Sequence, residues 1–100
     1  MNMATSAIDA TFWLHRCMAE AARGNADAFF DLGMAYAAGR DGAPQDFVEA
    51  HKWFNLAAMS GDARGQECRA DLATEMSARE IAQAQRQARA WLMQSHQKAA

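Results

Sequence analysis

Proline occurs once in this chain, at Pro44, and valine and isoleucine supply only Ile8, Val48 and Ile81. A chain so poor in these β-branched residues has little from which to build strands, and a single proline leaves most segments free to propagate helix. Alanine, the best helix former, is abundant instead, so the composition predicts an all-α protein. Cysteine is scarce: Cys17 and Cys68 stand far apart with no paired spacing. That argues against a disulfide framework or a zinc site and leaves reduced, buried thiols as the expectation. No apolar run is long enough to span a bilayer. The first residues, MNMATSAIDATFW, hold neither a basic leader nor an unbroken apolar stretch, so a cytoplasmic chain without membrane contact is expected. The formal charge is −2, with acid in excess before Ser77 and Arg79, Arg86, Arg89 and Lys98 after it. There is no polybasic stripe and no aromatic stacking platform, so nucleic acid is not an expected partner and the arginines of the last segment read as a solvated face.

The 100 residues suit one domain with a modest core. Caps and periodicity predict five helices. The first is bracketed by Ser6, with Asp9 as a weak capping-box partner, and by the exit Gly24-Asn25. Within it Ile8, Phe12, His15 or Arg16, Ala19 and Ala22 follow helical spacing. The second covers about Ala26 to Ala38 and closes at Gly39, with Phe29, Leu32, Gly33 and Tyr36 on one face. Glycine inside a helix costs roughly 1 kcal/mol relative to alanine, so Gly33 predicts close backbone approach by a neighbouring helix. The turn GRDGAPQ leads to Asp46, which caps a third helix with Glu49 completing an acidic box. That helix carries Phe47, Ala50, Trp53 or Phe54, Ala57 and Ala58 as its stripe and ends at Gly61. A fourth helix spans about Asp62 to Glu75, with Cys68, Leu72 and Met76 at intervals of four. Ser77 and Glu80 form a full capping box for a fifth, whose apolar side is Ile81, Ala84, Ala88, Trp91 and Leu92. The tail after about Ser95 is expected to fray.

The junctions ARGNADA and MSGDARG are alike, and their separation falls within the roughly 34–47 residues of the longer helical repeats. The segment between them, residues 26–61, resembles a Sel-one-like repeat, a relative of the tetratricopeptide repeat. The matching residues are Ala26, Ala28, Leu32, Gly33, Tyr36, Gly39, Gly42, Pro44, Asp46, Ala50, Trp53, Ala57, Ala58 and Gly61. Residues 6–24 resemble the second helix of a preceding unit, with Arg16 or Cys17 where a large aromatic is usual. Residues 62–95 resemble a degenerate unit followed by a capping helix, with Arg69-Ala70 replacing the Leu-Gly pair. The resemblance implies a short α-solenoid of antiparallel helix pairs, in which Trp53 is the keystone and neighbouring units complete each other's cores.

Sequence motifs give no support for an enzyme. His15, His51 and His96 are scattered, with no HExxH-type pair, and read as helix-surface residues without a catalytic or metal role. Asp27 and Asp31 share a helical face and read as complements to the N-terminal dipole of the second helix. The glycines of the turn lack the lysine–serine pair of a phosphate cradle. No cofactor is expected. Most of the seven methionines read as core filler, Met34 excepted. In repeats of this architecture the first helix of each unit lines the concave face. Asp27, Phe30, Met34 and Ala37 are therefore expected to form a surface with Arg64, Glu67 and Asp71 that takes a protein or peptide, although Phe30 and Met34 can instead pack against the neighbouring helix. The expectation is a non-catalytic interaction adaptor. A β-lactam-binding or hydrolysing activity, linked to cysteine-rich relatives with paired cysteines, is one alternative. Self-association through an unprotected N-terminal end is another.

Overall fold

The computed structural model describes the backbone of residues 3–99 and the side chains of residues 11–95. It is all-helical, with α1 at Met3–Ala22, α2 at Ala26–Ala38, α3 at Phe47–Met59, α4 at Ala63–Ala73 and α5 at Ala78–Ala99. Three of the helix ends share one device. Gly24, Gly39 and Gly61 adopt positive φ, and the next amide in each case reaches back to a carbonyl five residues earlier: Asn25 N–H to Glu20, Arg40 N–H to Ala35, Asp62 N–H to Ala57. Glycine enters this left-handed region without the Cβ penalty, so the chain leaves each helix and turns at once. At two of these junctions the residue after glycine caps the following helix. Asn25 Oδ1 accepts from Asp27 N–H and Asp62 Oδ1 from Arg64 N–H, both at 3.0 Å. The likeness of ARGNADA to MSGDARG is thus carried into matching hydrogen bonds.

Caps at α3 and α5 also follow from the sequence. Asp46 Oδ1 accepts from Glu49 N–H at 3.1 Å, and Ser77 and Glu80 bond reciprocally at 3.1 and 2.9 Å. The Asp46 box is only half of what was expected. The Asp46 amide donates instead to Tyr36 O at 2.9 Å, which leaves the Glu49 carboxylate for Lys52 and for the Trp53 indole.

Helix α3 lies between the others: it packs against α2, α4 and α5, while α1 packs mainly against α2. Contacts between α2 and α3 begin beside the turn, at Tyr36 and Asp46, and continue away from it through Gly33 and Phe54 to Phe29 and Trp53. Two apolar clusters result. The larger joins Cys17, Ala21, Ala28, Phe29, Leu32, Trp53, Leu56, Ala57 and Ala88. The smaller joins Ala50, Phe54 and Leu72, with Phe30, Met34, Tyr36, Phe47, Cys68 and Met76 packed around it. Trp53 and Phe54, alternatives for one stripe in the sequence, are both buried because each serves a different cluster.

Trp53 is 1% exposed. Its ring stacks on Phe29 with centroids 6.1 Å apart and meets the edge of Trp91 at 5.6 Å, tying α2, α3 and α5 together. Its Nε1–H donates to Glu49 Oε2 at 3.1 Å, which removes the penalty of burying an unpaired indole N–H. The Lys52 ammonium bonds the other Glu49 oxygen at 2.9 Å and sits 4.6 Å from the centre of the Trp53 ring.

Close approach does explain Gly33, although by a side chain rather than by backbone: a Cβ there would clash with Phe54 Cδ1 and stand 2.5 Å from its Cε1. Backbone approach occurs at Gly65, which the sequence reading passed over. A Cβ at Gly65 would stand 2.8 Å from Phe54 O and 2.9 Å from Ala58 N, so α4 lies directly on the main chain of α3.

Other expectations need correction. Helix α1 runs from Met3, so Ser6 lies within it rather than at its cap, and the side chains of Ser6, Ile8 and Asp9 lie outside the described residues. The buried face of α1 is not the expected one. Phe12 is 62% exposed and His15, Arg16, Ala19 and Ala22 face solvent, whereas Cys17 and Ala21 are buried beside Trp13, Leu14 and Met18. The segment is apolar around much of its circumference, so periodicity offers two stripes and contact with α2 selects one. Helix α4 ends at Ala73, short of Glu75, and α5 continues through Ala99, past the expected fraying at Ser95.

Two substitutions test this packing. Trp53→Ala should lower unfolding free energy by about 3–5 kcal/mol, measured by urea denaturation, because it empties the junction of three helices. Gly65→Ala should destabilise by about 1–3 kcal/mol through overpacking, which outweighs the roughly 1 kcal/mol gain in helix propensity.

Candidate functional site

The residues expected to form a binding face fall into two groups along the border of α2 and α4. At one end Asp27, in the first turn of α2, meets Arg64, in the first turn of α4. Arg64 Nη2 donates to Asp27 Oδ1 and to Asp62 Oδ2, each at 2.8 Å, and its Nε donates to Asp62 Oδ1 at 3.1 Å. Hydrogen bonds from Arg64 hold the Asp62 carboxyl below the ordinary carboxylate range, and Asp62 in turn favours the charged guanidinium. The guanidinium carbon lies 4.2 Å from the centre of the Phe30 ring. Phe30 is half-buried, tilted against Phe54 at 5.9 Å, and packs against both apolar clusters. Asp27, Phe30 and Arg64 therefore close this end of the border by bonding to one another.

The other end is open. Met34 and Ala37, further along α2, face Cys68, Asp71, Leu72 and Glu75 across a cleft of about 220 Å³ whose floor includes Phe54. The floor exists because Gly33 has no side chain: the Phe54 ring occupies the space a Cβ would need. Met34, Ala37 and Cys68 are half-buried, while Asp71 and Glu75 are exposed. Burial pushes the Cys68 thiol up, with Glu67 and Asp71 adding to the effect, so it is protonated at neutral pH. Glu67 is exposed on α4 beside it. The sequence reading missed Phe54, Cys68, Leu72 and Glu75 as parts of this surface. Cys68 and Leu72 stand in the sequence only as part of the four-residue spacing of α4, and Glu75 lies in the turn beyond that helix, outside its periodicity.

Two further clefts of about 250 Å³ each lie elsewhere. One, between α1 and α2, is lined by Trp13, Arg16, Cys17, Glu20, Asn25, Asp27, Ala28 and Asp31. Desolvation and the neighbouring Asp27 push the Asp31 carboxyl up, and burial, with Asp31, raises the Cys17 thiol. The other is formed around Phe29, Trp91 and Leu92 by Ala22, Arg23, Gly24, Ser60 and Ser95. Both cysteines are free.

His51 is not the surface residue expected. It is 2% exposed, and its Nδ1 is buried without a hydrogen-bond partner. Position 51 lies on a helix contacted by three others, so a residue outside the expected stripe is enclosed all the same. His15 is exposed, and the side chain of His96 lies outside the described residues. Among the described residues no group of three or more His, Cys, Asp or Glu side chains could hold a metal ion, and no helix is long and apolar enough to cross a membrane. Arg79, Arg86 and Arg89 are exposed on α5.

Compared with family descriptions, curated proteins and solved structures, the chain matches none.

Burial first, and the charge of Arg69 second, push His51 below its ordinary value of 6.5. As pH falls below about 6.5, the unfolded chain takes up a proton before the folded one does. The neutral imidazole therefore contributes stability at neutral pH that is lost as pH falls through the folded value. Urea denaturation across this range should show a steeper loss of stability in the natural chain than in His51→Leu; parallel curves would contradict the assignment.

Proposed function

We propose that the chain is a non-catalytic adaptor that binds a protein or peptide segment along the border of α2 and α4. The observation that carries this reading is the open cleft over Phe54, flanked by Met34 and Ala37 on one helix and by Leu72 and Asp71 on the other. A shallow apolar cleft between two helices, rimmed by charge, is a geometry by which helical proteins seat extended or helical partners.

In this reading the helices stack as antiparallel pairs in a short α-solenoid resembling Sel-one-like repeats. Residues 26–61 form the complete unit, residues 6–24 a partial one, and residues 62–95 a degenerate unit with a capping helix. Three observations support it: the equivalent exits and caps at Gly24-Asn25 and Gly61-Asp62, the tight α3–α4 contact at Gly65, and the burial of Trp53 between helices of different units. Leu32, Ala35, Ala50 and Ala57 are fully buried, as residues that interlock paired helices should be. Helices α2 and α4 would then be the first helices of adjacent units, which puts the cleft on the concave side.

Self-association through α1 is a second reading, favoured by the 62% exposure of Phe12 on a helix whose main packing partner is α2. The β-lactam reading draws on paired cysteines, which this chain does not have.

A photo-crosslinking amino acid placed at Met34 should capture a partner protein in cells that express the chain, whereas the same group at Gln85, exposed on α5, should not. Equal capture at both positions, or none from Met34, would remove the basis for the groove. Because Phe30 packs into both clusters, Met34→Glu is the better blocking variant. It should abolish capture by a crosslinker at Ala37 while leaving far-ultraviolet circular dichroism unchanged.

A further inference from the structure

We propose that the open end of the α2–α4 groove selects a peptide segment in which a lysine or arginine lies beside one large apolar side chain. The proposal rests on the groove being a protein-binding surface and adds the chemistry of what it binds. Size supplies the first constraint. The cleft holds about 220 Å³, below the roughly 300–1,000 Å³ of sites that enclose whole small ligands. It suits a single leucine, methionine or aromatic side chain set against half-buried Met34, Ala37 and Cys68, above the buried Phe54 and Leu72. Met34, with its flexible thioether, forms one wall and can adjust to different shapes.

Charge supplies the second constraint. Asp71, in the last turn of α4, and Glu75, in the turn that follows the helix, line the same cleft, and both are exposed. Neither carboxylate is in an ion pair among the described residues, whereas Arg64, Arg40 and Lys52 are each paired with other carboxylates. Arg64 is held by Asp27 and Asp62 at the closed end, Arg40 pairs with Asp41, Lys52 pairs with Glu49, and Arg69 donates to Asn55. The open end therefore presents two carboxylates without an ion-pair partner among the described residues, next to an apolar cleft. A segment with an acidic residue at that position meets like charge. A neutral one leaves the two carboxylates partly desolvated without a partner. A basic residue next to the apolar anchor satisfies both features at once.

The test is selection of a randomised heptapeptide display library on the immobilised full chain, followed by fluorescence anisotropy with a selected peptide. Enriched peptides should carry lysine or arginine within a few positions of leucine, methionine, phenylalanine or tryptophan. Replacing the peptide's basic residue by glutamine should weaken binding about threefold to tenfold, as should the double variant Asp71→Asn/Glu75→Gln, and added salt should weaken it in the same direction. Thermal unfolding of each variant verifies that the fold is kept. Enriched peptides without a basic residue, whose binding Met34→Glu abolishes, would overturn the charge selection and leave the groove as a binding surface. Full affinity in the Asp71→Asn/Glu75→Gln variant would also overturn the charge selection. A library from which nothing is enriched would overturn both.

Discussion

Helix α3 has to be buried on two sides at once, and the rest of the structure depends on that constraint. Trp53, Leu56 and Ala57 serve the larger cluster, while Ala50 and Phe54 serve the smaller. A helix of 13 residues used in this way has little circumference left for water. The same demand explains the Glu49 carboxylate, which bonds the Trp53 indole and Lys52 where the protein encloses them. Satisfying the polar part of a large aromatic lets it sit at a three-helix junction, where its area contributes most to stability.

The groove follows from the same packing. Phe54 is turned toward α2 and α4, Gly33 leaves space for its ring, and Gly65 lets α4 lie against the α3 backbone. With α4 that close, its outward residues come level with those of α2. At the N-terminal ends of the two helices, Arg64 ties them together above Phe30. Beyond that ion pair the border opens into a cleft between half-buried Met34, Ala37 and Cys68, above the buried Phe54 and Leu72. One border thus has a closed end, where Arg64 ties two carboxylates, and an open one, and its functional reading rests on the difference.

The sequence was informative where a local rule was sufficient. Glycine followed by asparagine or aspartate marked helix exits because positive φ and side-chain capping need no distant partner. Ser77 and Glu80 announced the start of α5 for the same reason, and the apolar side of α5 emerged correctly because its other side is strongly polar. On α1 no local rule was sufficient: Trp13, Leu14, Cys17 and Met18 compete with Phe12, Ala19 and Ala22, and periodicity alone cannot rank two apolar stripes. Of the expected interaction face, Asp27, Phe30 and Arg64 do come together, but as a closed cluster. Met34, Ala37 and Asp71 come together as the open one.

The sequence by itself determined that the chain is helical, where most of its helices stop, and that glycine and alanine would allow close packing. These follow from backbone preference and capping, which act over a few residues. Tertiary structure decided which face of α1 is buried, that His51 is enclosed, that Glu49 serves Trp53 rather than the Asp46 amide, and that Phe54 becomes the floor of a cleft. Each of these depends on how three or more helices share the space around α3, and residues far apart in the chain set that arrangement together.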